Sequence, residues 1–116
     1  MNQPKRYAVE HFSEITPVPC PCGMSRRAFV ESSGGAATFH IVEIKKDAQL
    51  HYHKNHFEMY LILEGEGFME LDGDKVPVKQ GSTVYIPAGC RHRALGQLKV
   101  ANVSVPAFDP ADEYFD

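Results

Sequence analysis

The sequence predicts an all-β domain, either a sandwich or a barrel. Apolar and polar residues alternate with a period of two along most of the chain, which is the pattern of half-buried strands. Glycine, proline and aspartate interrupt this pattern every few residues, and no sustained apolar stripe has helical spacing. Many short strands joined by tight turns are typical of packed or closed antiparallel sheets.

The alternating pattern places the strands along the chain. We expect them at residues 29–31, 38–44, 49–53, 57–63, 68–71, 76–78, 83–86 and 98–105. Asp72, Gly73 and Asp74 predict a tight hairpin turn. Pro77 moves its strand toward the edge of a sheet, because proline has no N–H to donate to a neighbouring strand.

The chain of 116 residues has the size of one domain. We expect an N-terminal arm with a first short strand at residues 1–30, a barrel at 31–107, and an acidic C-terminal tail at 108–116 that packs on the barrel or on a partner subunit. In the tail, Asp109 followed by Pro110 has the pattern of a helix N-terminus, which predicts a short C-terminal turn or helix.

The composition argues against several function classes. A total of 12 Lys and Arg against 15 Asp and Glu gives a formal net charge of −3, so we expect no binding to nucleic acid or to a membrane surface. No apolar run reaches the roughly 18 residues of a transmembrane helix. The early charges of the N-terminus are followed by no apolar stretch, which favours a cytoplasmic protein. The odd number of cysteines (Cys20, Cys22 and Cys90) predicts reduced thiols.

Two histidines separated by one residue form a first cluster of candidate metal ligands. His51 and His53 lie in a predicted strand, where residues two apart point to the same face. If the next strand pairs antiparallel with this one, Glu58 lies opposite or close to His53. Two neutral imidazoles and one carboxylate are a good donor set for a divalent first-row cation. For a lone H-x-H pair, two surface histidines on an edge strand are the alternative.

A second cluster follows a strand that ends at a Pro-x-Gly turn. Pro87 and Gly89 belong to this turn, and His92 lies three residues after the glycine. Taken alone, this spacing indicates only that His92 begins a strand after a turn.

The two clusters together resemble the two motifs of the cupin superfamily. The stretch from His51 to Gly65 is similar to H-x-H-x(3,4)-E-x6-G, and the stretch from Gly81 to His92 is similar to G-x5-P-x-G-x2-H. The matching residues are His51, His53, Glu58, Gly65, Gly81, Pro87, Gly89 and His92. Lys45 and Gly96 replace the opening glycine and the closing asparagine of the full motifs, neither of which is a metal ligand in the family.

The resemblance implies a cupin barrel, which is a double-stranded β-helix of the jelly-roll type with a metal near one mouth. Carried over by position, the ligands of one divalent transition metal ion are His51, His53, Glu58 and His92. The family uses manganese (Mn), iron (Fe), zinc (Zn), nickel (Ni), cobalt (Co) or copper (Cu) on similar ligands, and affinity alone would favour copper or zinc. The resemblance also implies a homodimer, because single-barrel cupins commonly dimerise.

Three further residues are candidate catalytic groups. By strand parity, Tyr60 shares the face of Glu58 and could donate a hydrogen bond to a ligand, although a tyrosine that packs in the cavity is the commoner outcome. His56 lies in the turn between two strands, where it could contact the metal ligands or a substrate, or be solvated. Glu70 is the remaining candidate acid or base.

The predicted site is compatible with three functions. The first is a metalloenzyme that acts on a small oxygen-rich molecule, with chemistry of the dioxygenase, isomerase or decarboxylase type. The second is a non-enzymatic module that binds or senses a carbohydrate or an organic acid inside the barrel. The third is an interaction domain with a structural metal. A general acid or base beside the metal would distinguish the first function from the second.

Overall fold

Two antiparallel sheets make up the structure, a computed structural model that describes residues 6–116. The strands over these residues are β1 Val18–Cys20, β2 Gly23–Ala28, β3 Thr38–Ile44, β4 Phe57–Glu64, β5 Glu66–Leu71, β6 Asp74–Lys79, β7 Thr83–Ile86, β8 His92–Leu95 and β9 Leu98–Val105. The larger sheet has the order β1-β2-β3-β9-β4-β7, and the smaller sheet has the order β6-β5-β8. This architecture confirms the predicted all-β barrel.

Helical structure in the described residues is limited to one 3₁₀ turn at Phe12–Glu14. No helix in this part of the chain is long and apolar enough to cross a membrane.

The alternating pattern predicts the bounds of β3, β7 and β9 to the residue. Side chains on β3 alternate between buried and more exposed positions along its whole length, because one face lies inside the barrel. The three strands β4, β5 and β6 extend a little beyond their predicted segments. Pro77 lies on β6, which is an edge strand, as expected.

Two predicted strands are wrong. Residues 29–31 form a turn in which Phe29 has a φ of 66°, and the strand lies just before it, at β2. Residues 49–53 are extended but do not pair with β4. Instead, they form isolated bridges between His51 and His92 and between Tyr52 and Tyr114.

Both predicted turns are confirmed. Asp72 and Gly73 connect β5 to β6 with φ values of 47° and 90°, and two positive φ angles are what a two-residue hairpin of type I′ requires. In the tail, the carboxylate of Asp109 accepts a hydrogen bond from the N–H of Ala111, and its carbonyl accepts one from the N–H of Asp112, both at 2.9 Å. The predicted C-terminal turn or helix is therefore a single turn.

The prediction of reduced thiols is wrong for one pair of cysteines. Cys20 and Cys22 form a disulfide at the turn between β1 and β2. Their Cα atoms are 5.1 Å apart, which lies within the range that a disulfide spans. Cys90 is free and half-buried, and burial together with the nearby Asp72 raises the pKa of its thiol, as suits an unreactive cysteine.

The inner face of the larger sheet is apolar at one end and polar at the other. At the apolar end, Ile44, Ile62, Leu98 and Val100 are at most 3% exposed and form much of the core. Further along the same strands, the inner positions carry buried polar side chains, which are His40, Glu58, Asn102 and Ser104. Buried polar groups are costly unless they find partners, so this end of the barrel is where a site is expected.

Candidate metal centre

His51 and His92 lie directly opposite each other on two antiparallel segments. The N–H of His51 donates to the carbonyl of His92 at 3.1 Å, and the N–H of His92 donates back at 2.8 Å. Residues paired in this way share a face, and the two ring centroids are 4.4 Å apart. His53 points the same way two residues along. As a result, one ring nitrogen from each of the three histidines lies within 4.8 Å of the others.

A backbone carbonyl orients each of the three imidazoles through its Nδ1 atom. The acceptors are the carbonyls of Gln49 for His51, Asp112 for His53 and Cys90 for His92, at 2.8, 2.7 and 2.8 Å. A carbonyl oxygen can only accept, so each Nδ1 carries a proton, and in the neutral ring Nε2 keeps its lone pair. This is the tautomer that histidine ligands of metals adopt.

Glu58 approaches the three histidines from the larger sheet. Its strand, β4, pairs with β7 and β9, so the expected pairing of β4 with residues 49–53 is wrong. Glu58 nevertheless reaches the cluster, with Oε2 at 3.2 Å from Nε2 of His92 and Oε1 at 3.5 Å from Nε2 of His53. Glu58 therefore lies beside two of the three histidines, because two walls of the barrel face each other.

The four side chains fit a bound cation. Nε2 of His53, Nε2 of His92 and Oε2 of Glu58 are buried and have no hydrogen-bond partner among the described residues. Buried polar atoms without partners are rare, and a missing ion is one of the explanations for them. Adjacent ligands at about 2.1 Å from one ion lie roughly 3.0 to 3.4 Å apart, which is close to the two separations measured from Glu58.

The protonation states also suit a metal. Burial, together with the neighbouring His92, lowers the pKa of His51 to about 4. Burial lowers the pKa of His53 as well. Burial alone would raise the pKa of Glu58, but the surrounding imidazoles of His56, His92 and His53 lower it well below its usual value. At neutral pH, His51 and His53 are therefore neutral and Glu58 is ionised, as metal ligation requires.

His56 is buried between two carboxylates. Its Nε2 lies 3.3 Å from Oε1 of Glu58, and its Nδ1 lies 3.5 Å from Oδ2 of Asp112. His53, His56 and Glu58 also offer ligand atoms within 4.8 Å of one another. Because both nitrogens of His56 face carboxylate oxygens, this ring is placed to hold Glu58 rather than to bind a metal itself.

Tyr60 is buried on the same face of β4 as Glu58, with its ring centroid 6.3 Å from that of His92. Burial, and then the charge of Glu58, raises the pKa of Tyr60 well above its usual value. The phenol therefore stays protonated. It can donate a hydrogen bond in the site, but it is a poor base.

Glu70 lies away from the centre. It pairs with Arg93 between β5 and β8, and both side chains are partly exposed. His92 and Arg93 are consecutive in β8, so their side chains point to opposite faces of the smaller sheet. The structure therefore does not bring Glu70 to the predicted metal ligands.

The C-terminal tail carries residues of the site that the sequence analysis missed. Asp112 is only 3% exposed; its carbonyl orients His53, and its carboxylate accepts hydrogen bonds from the N–H groups of Lys54 and Asn55 at 2.9 Å each. Asp112 lies 59 residues after His53 in the sequence. No local pattern indicates a contact over such a separation.

Two aromatic rings of the tail cover the histidines. The ring centroid of Phe108 lies 6.0 Å from those of His53 and His56, and that of Phe115 lies 6.4 Å from that of His51. Apolar cover of this kind keeps water away and strengthens the electrostatic interactions beneath it.

A comparison with known protein families identifies the fold family. Residues 39–98, about half of the chain, match the family described as the cupin domain. The chain belongs to the cupin family. The match includes all four candidate metal ligands.

Individual relatives of this cupin are moderately similar. An uncharacterized protein of Methanocaldococcus jannaschii is 40% identical over 76 residues, which cover 62% of this chain and 61% of that protein. The chain thus spans about three fifths of that relative's length. The L-ectoine synthase of Halomonas elongata is 32% identical over 109 residues, which cover 79% of this chain and 80% of the synthase. A crystal structure of a protein from Planctomyces limnophilus superposes with a TM-score of 0.86 at 37% identity, covering 94% and 96% of the two chains.

Replacing Asp112 by alanine should destabilise this cupin by about 2 kcal/mol or more. The N–H groups of Lys54 and Asn55 would lose their acceptor in a partly buried setting. Asp109→Ala is the matched control, because it removes one exposed cap and should cost about 1 kcal/mol or less. Urea unfolding of the metal-free proteins measures both losses, and equal losses would contradict the role given to Asp112.

The metal-free protein should lose stability as the pH falls from about 6.5 to about 4. The pKa values of His40 and His51 are about 4 in the folded chain, against 6.5 when they are exposed. On acidification, the unfolded chain therefore binds protons first, and the free energy of unfolding decreases. Urea unfolding in EDTA measures the slope. His51→Gln should reduce it, whereas His11→Gln, at an exposed residue, should leave it unchanged. A flat profile in the unmodified chain would argue against neutral buried histidines.

Proposed function

We propose that this chain is a metal-dependent cupin that acts on, or binds, a small oxygen-rich molecule. In this proposal, His51, His53, Glu58 and His92 hold one divalent transition metal ion. The observation that carries it is the convergence of buried ligand atoms that have no hydrogen-bond partner among the described residues. The backbone carbonyls that fix the three imidazoles support it, because they keep each Nε2 free for a ligand bond.

The side chains around the centre would have different roles in this function. Three neutral imidazoles and one carboxylate leave a divalent ion with a net charge near +1, so the bound ion would supply Lewis acidity toward a carbonyl or hydroxyl oxygen. Tyr60 would donate a hydrogen bond to a bound oxygen, since its phenol stays protonated. His56 would keep Glu58 ionised and oriented. The aromatic cover from the tail would exclude water. Dioxygenase, isomerase and decarboxylase types of chemistry are all compatible with this arrangement.

Non-enzymatic binding of a carbohydrate or an organic acid is the second candidate function. One observation favours it: each candidate base is either protonated or already engaged with another side chain. Tyr60 is protonated, His56 lies between two carboxylates, and Glu70 is paired with Arg93 away from the centre. The 32% identity to an L-ectoine synthase supports the enzymatic alternative.

We also propose that the protein is a homodimer formed through the outer face of the larger sheet. Phe39, Met59, Leu61 and Tyr85 lie on this face and are 37–63% exposed. They line a groove of about 380 Å³ that has few polar groups. An exposed apolar patch on a sheet is a common mark of an interface between subunits.

The purified protein should carry close to one equivalent of a transition metal. Elemental analysis measures this, and Co²⁺ added after EDTA treatment should give the visible absorption of a bound ion. His92→Ala should lose the metal, because it removes a ligand and loosens the neighbouring ones. His11→Ala changes an exposed histidine and should retain the metal. Full metal content in His92→Ala, or none in the unmodified protein after reloading, would contradict the proposed centre.

Met59→Lys should convert the dimer to a monomer. Multi-angle light scattering should give twice the chain mass of 13.0 kDa for the unmodified protein and 13.0 kDa for the variant. Val76→Lys is the matched control, because Val76 is similarly exposed, at 40% against 46%, but lies on the edge strand of the smaller sheet. A monomeric unmodified protein, or a dimeric Met59→Lys, would rule out this interface.

A further inference from the structure

A row of polar side chains crosses the inner face of the larger sheet beside the metal centre. Arg27 on β2 pairs in register with His40 on β3, His40 with Asn102 on β9, and Asn102 with Tyr60 on β4. Residues in one register row are neighbours on the same face. The row therefore runs from Tyr60, which shares a face with Glu58, to Arg27 near the open edge of the sheet.

A cavity of about 260 Å³ lies at the Arg27 end of this row. Its polar lining residues are Thr16, Arg27, Thr38 and His40. Most of its wall is apolar and comes from Ile15, Val18, Val30, Phe108 and Pro110. Arg27 is its only cation among the lining residues, because burial lowers the pKa of His40 to about 4 and leaves that ring neutral.

Arg27 has no ion-pair partner among the described residues. Its Nε atom is buried without a hydrogen-bond partner, and its guanidinium lies 4.5 Å from the ring centroid of Phe108. The negative charge of Glu113 favours the charged form of Arg27, although the two side chains form no direct contact. Other arginines of the chain are engaged, since the adjacent Arg26 donates to backbone carbonyls and Arg93, on the smaller sheet, pairs with Glu70. A half-buried cation that has no ion-pair or hydrogen-bond partner is costly, so its position favours a bound anion.

We propose that this cavity binds a small monocarboxylate with an apolar body, whose carboxylate is held by the Arg27 guanidinium. An arginine fork matches a carboxylate through two parallel hydrogen bonds. The apolar walls cover the rest of the molecule. A ligand with one negative charge fits better than a phosphate with two. Arg27 is the lone cation among the lining residues, and the negative charge of Glu113 already offsets part of its positive charge.

Phe108 separates this cavity from the metal centre. Its ring lies 5.6 Å from that of His40 on the cavity side and 6.0 Å from those of His53 and His56 on the other side. None of the four candidate metal ligands lines the cavity. The proposal therefore does not rest on the proposed metal function, and it can be tested on protein treated with EDTA.

Benzoate is a suitable probe, because it joins one carboxylate to a compact apolar ring. Isothermal titration of the EDTA-treated protein should show saturable binding with a Kd on the order of 1 mM, as for a ligand of this size. Benzamide, which has the same shape without the charge, should bind at least tenfold more weakly. Inorganic phosphate at equal concentration should leave the benzoate affinity unchanged.

Variants locate the binding to Arg27. Arg27→Gln should weaken benzoate binding at least tenfold, and Arg27→Lys should recover part of the loss, since it restores the charge but not the fork. Arg93→Gln removes a paired arginine elsewhere and should bind as the unmodified protein does. The comparison of benzoate with benzamide needs no variant, so it decides the question even if Arg27→Gln fails to fold. Equal binding of the two probes, displacement by phosphate, or unchanged affinity in a folded Arg27→Gln would overturn the proposal.

Discussion

The arrangement of the site depends on one repeated interaction, the hydrogen bond from an imidazole Nδ1–H to a backbone carbonyl. It occurs at His51, His53 and His92, and each time it fixes both the rotation of the ring and the position of its proton. Without these bonds, a buried histidine could turn either nitrogen inward. With them, one ring nitrogen of each histidine lies close to the others, and the carboxylate of Glu58 lies beside those of His53 and His92. The carbonyls belong to the backbone, so the orientation of the ligands follows from the fold itself.

The barrel combines two tasks on one sheet. Apolar inner residues at one end of β3, β4 and β9 bury a core that holds the sheets together, and polar residues at the other end of the same strands form the site. Because the strands are continuous, the core holds the polar side chains in register. A displacement of a strand by one residue would move Glu58 to the outer face and an apolar neighbour into its place.

The sequence was sufficient to predict those parts of the fold that depend on local patterns. The alternation along β3, β7 and β9 has the period of a strand, and Asp72 with Gly73 suits a tight turn, so both were predicted. The candidate ligand set came from the resemblance to the two cupin motifs, and it stays a prediction. The assumed pairing of residues 49–53 with β4 was wrong, since His51 pairs with His92, which is distant in sequence. Arg27 and Asp112 were missed for the same reason. The strand of Arg27 contains two arginines and no clear alternation, and Asp112 acts on residues that no periodicity connects to it.

The contacts of the tail with His53, Lys54 and Asn55 also set an order of events during synthesis. Residues 112–114 leave the ribosome after every strand of the barrel, and until they arrive the imidazole of His53 lacks its carbonyl acceptor and Tyr52 lacks its bridge to Tyr114. The candidate metal centre is thus complete only once the tail has docked on the barrel.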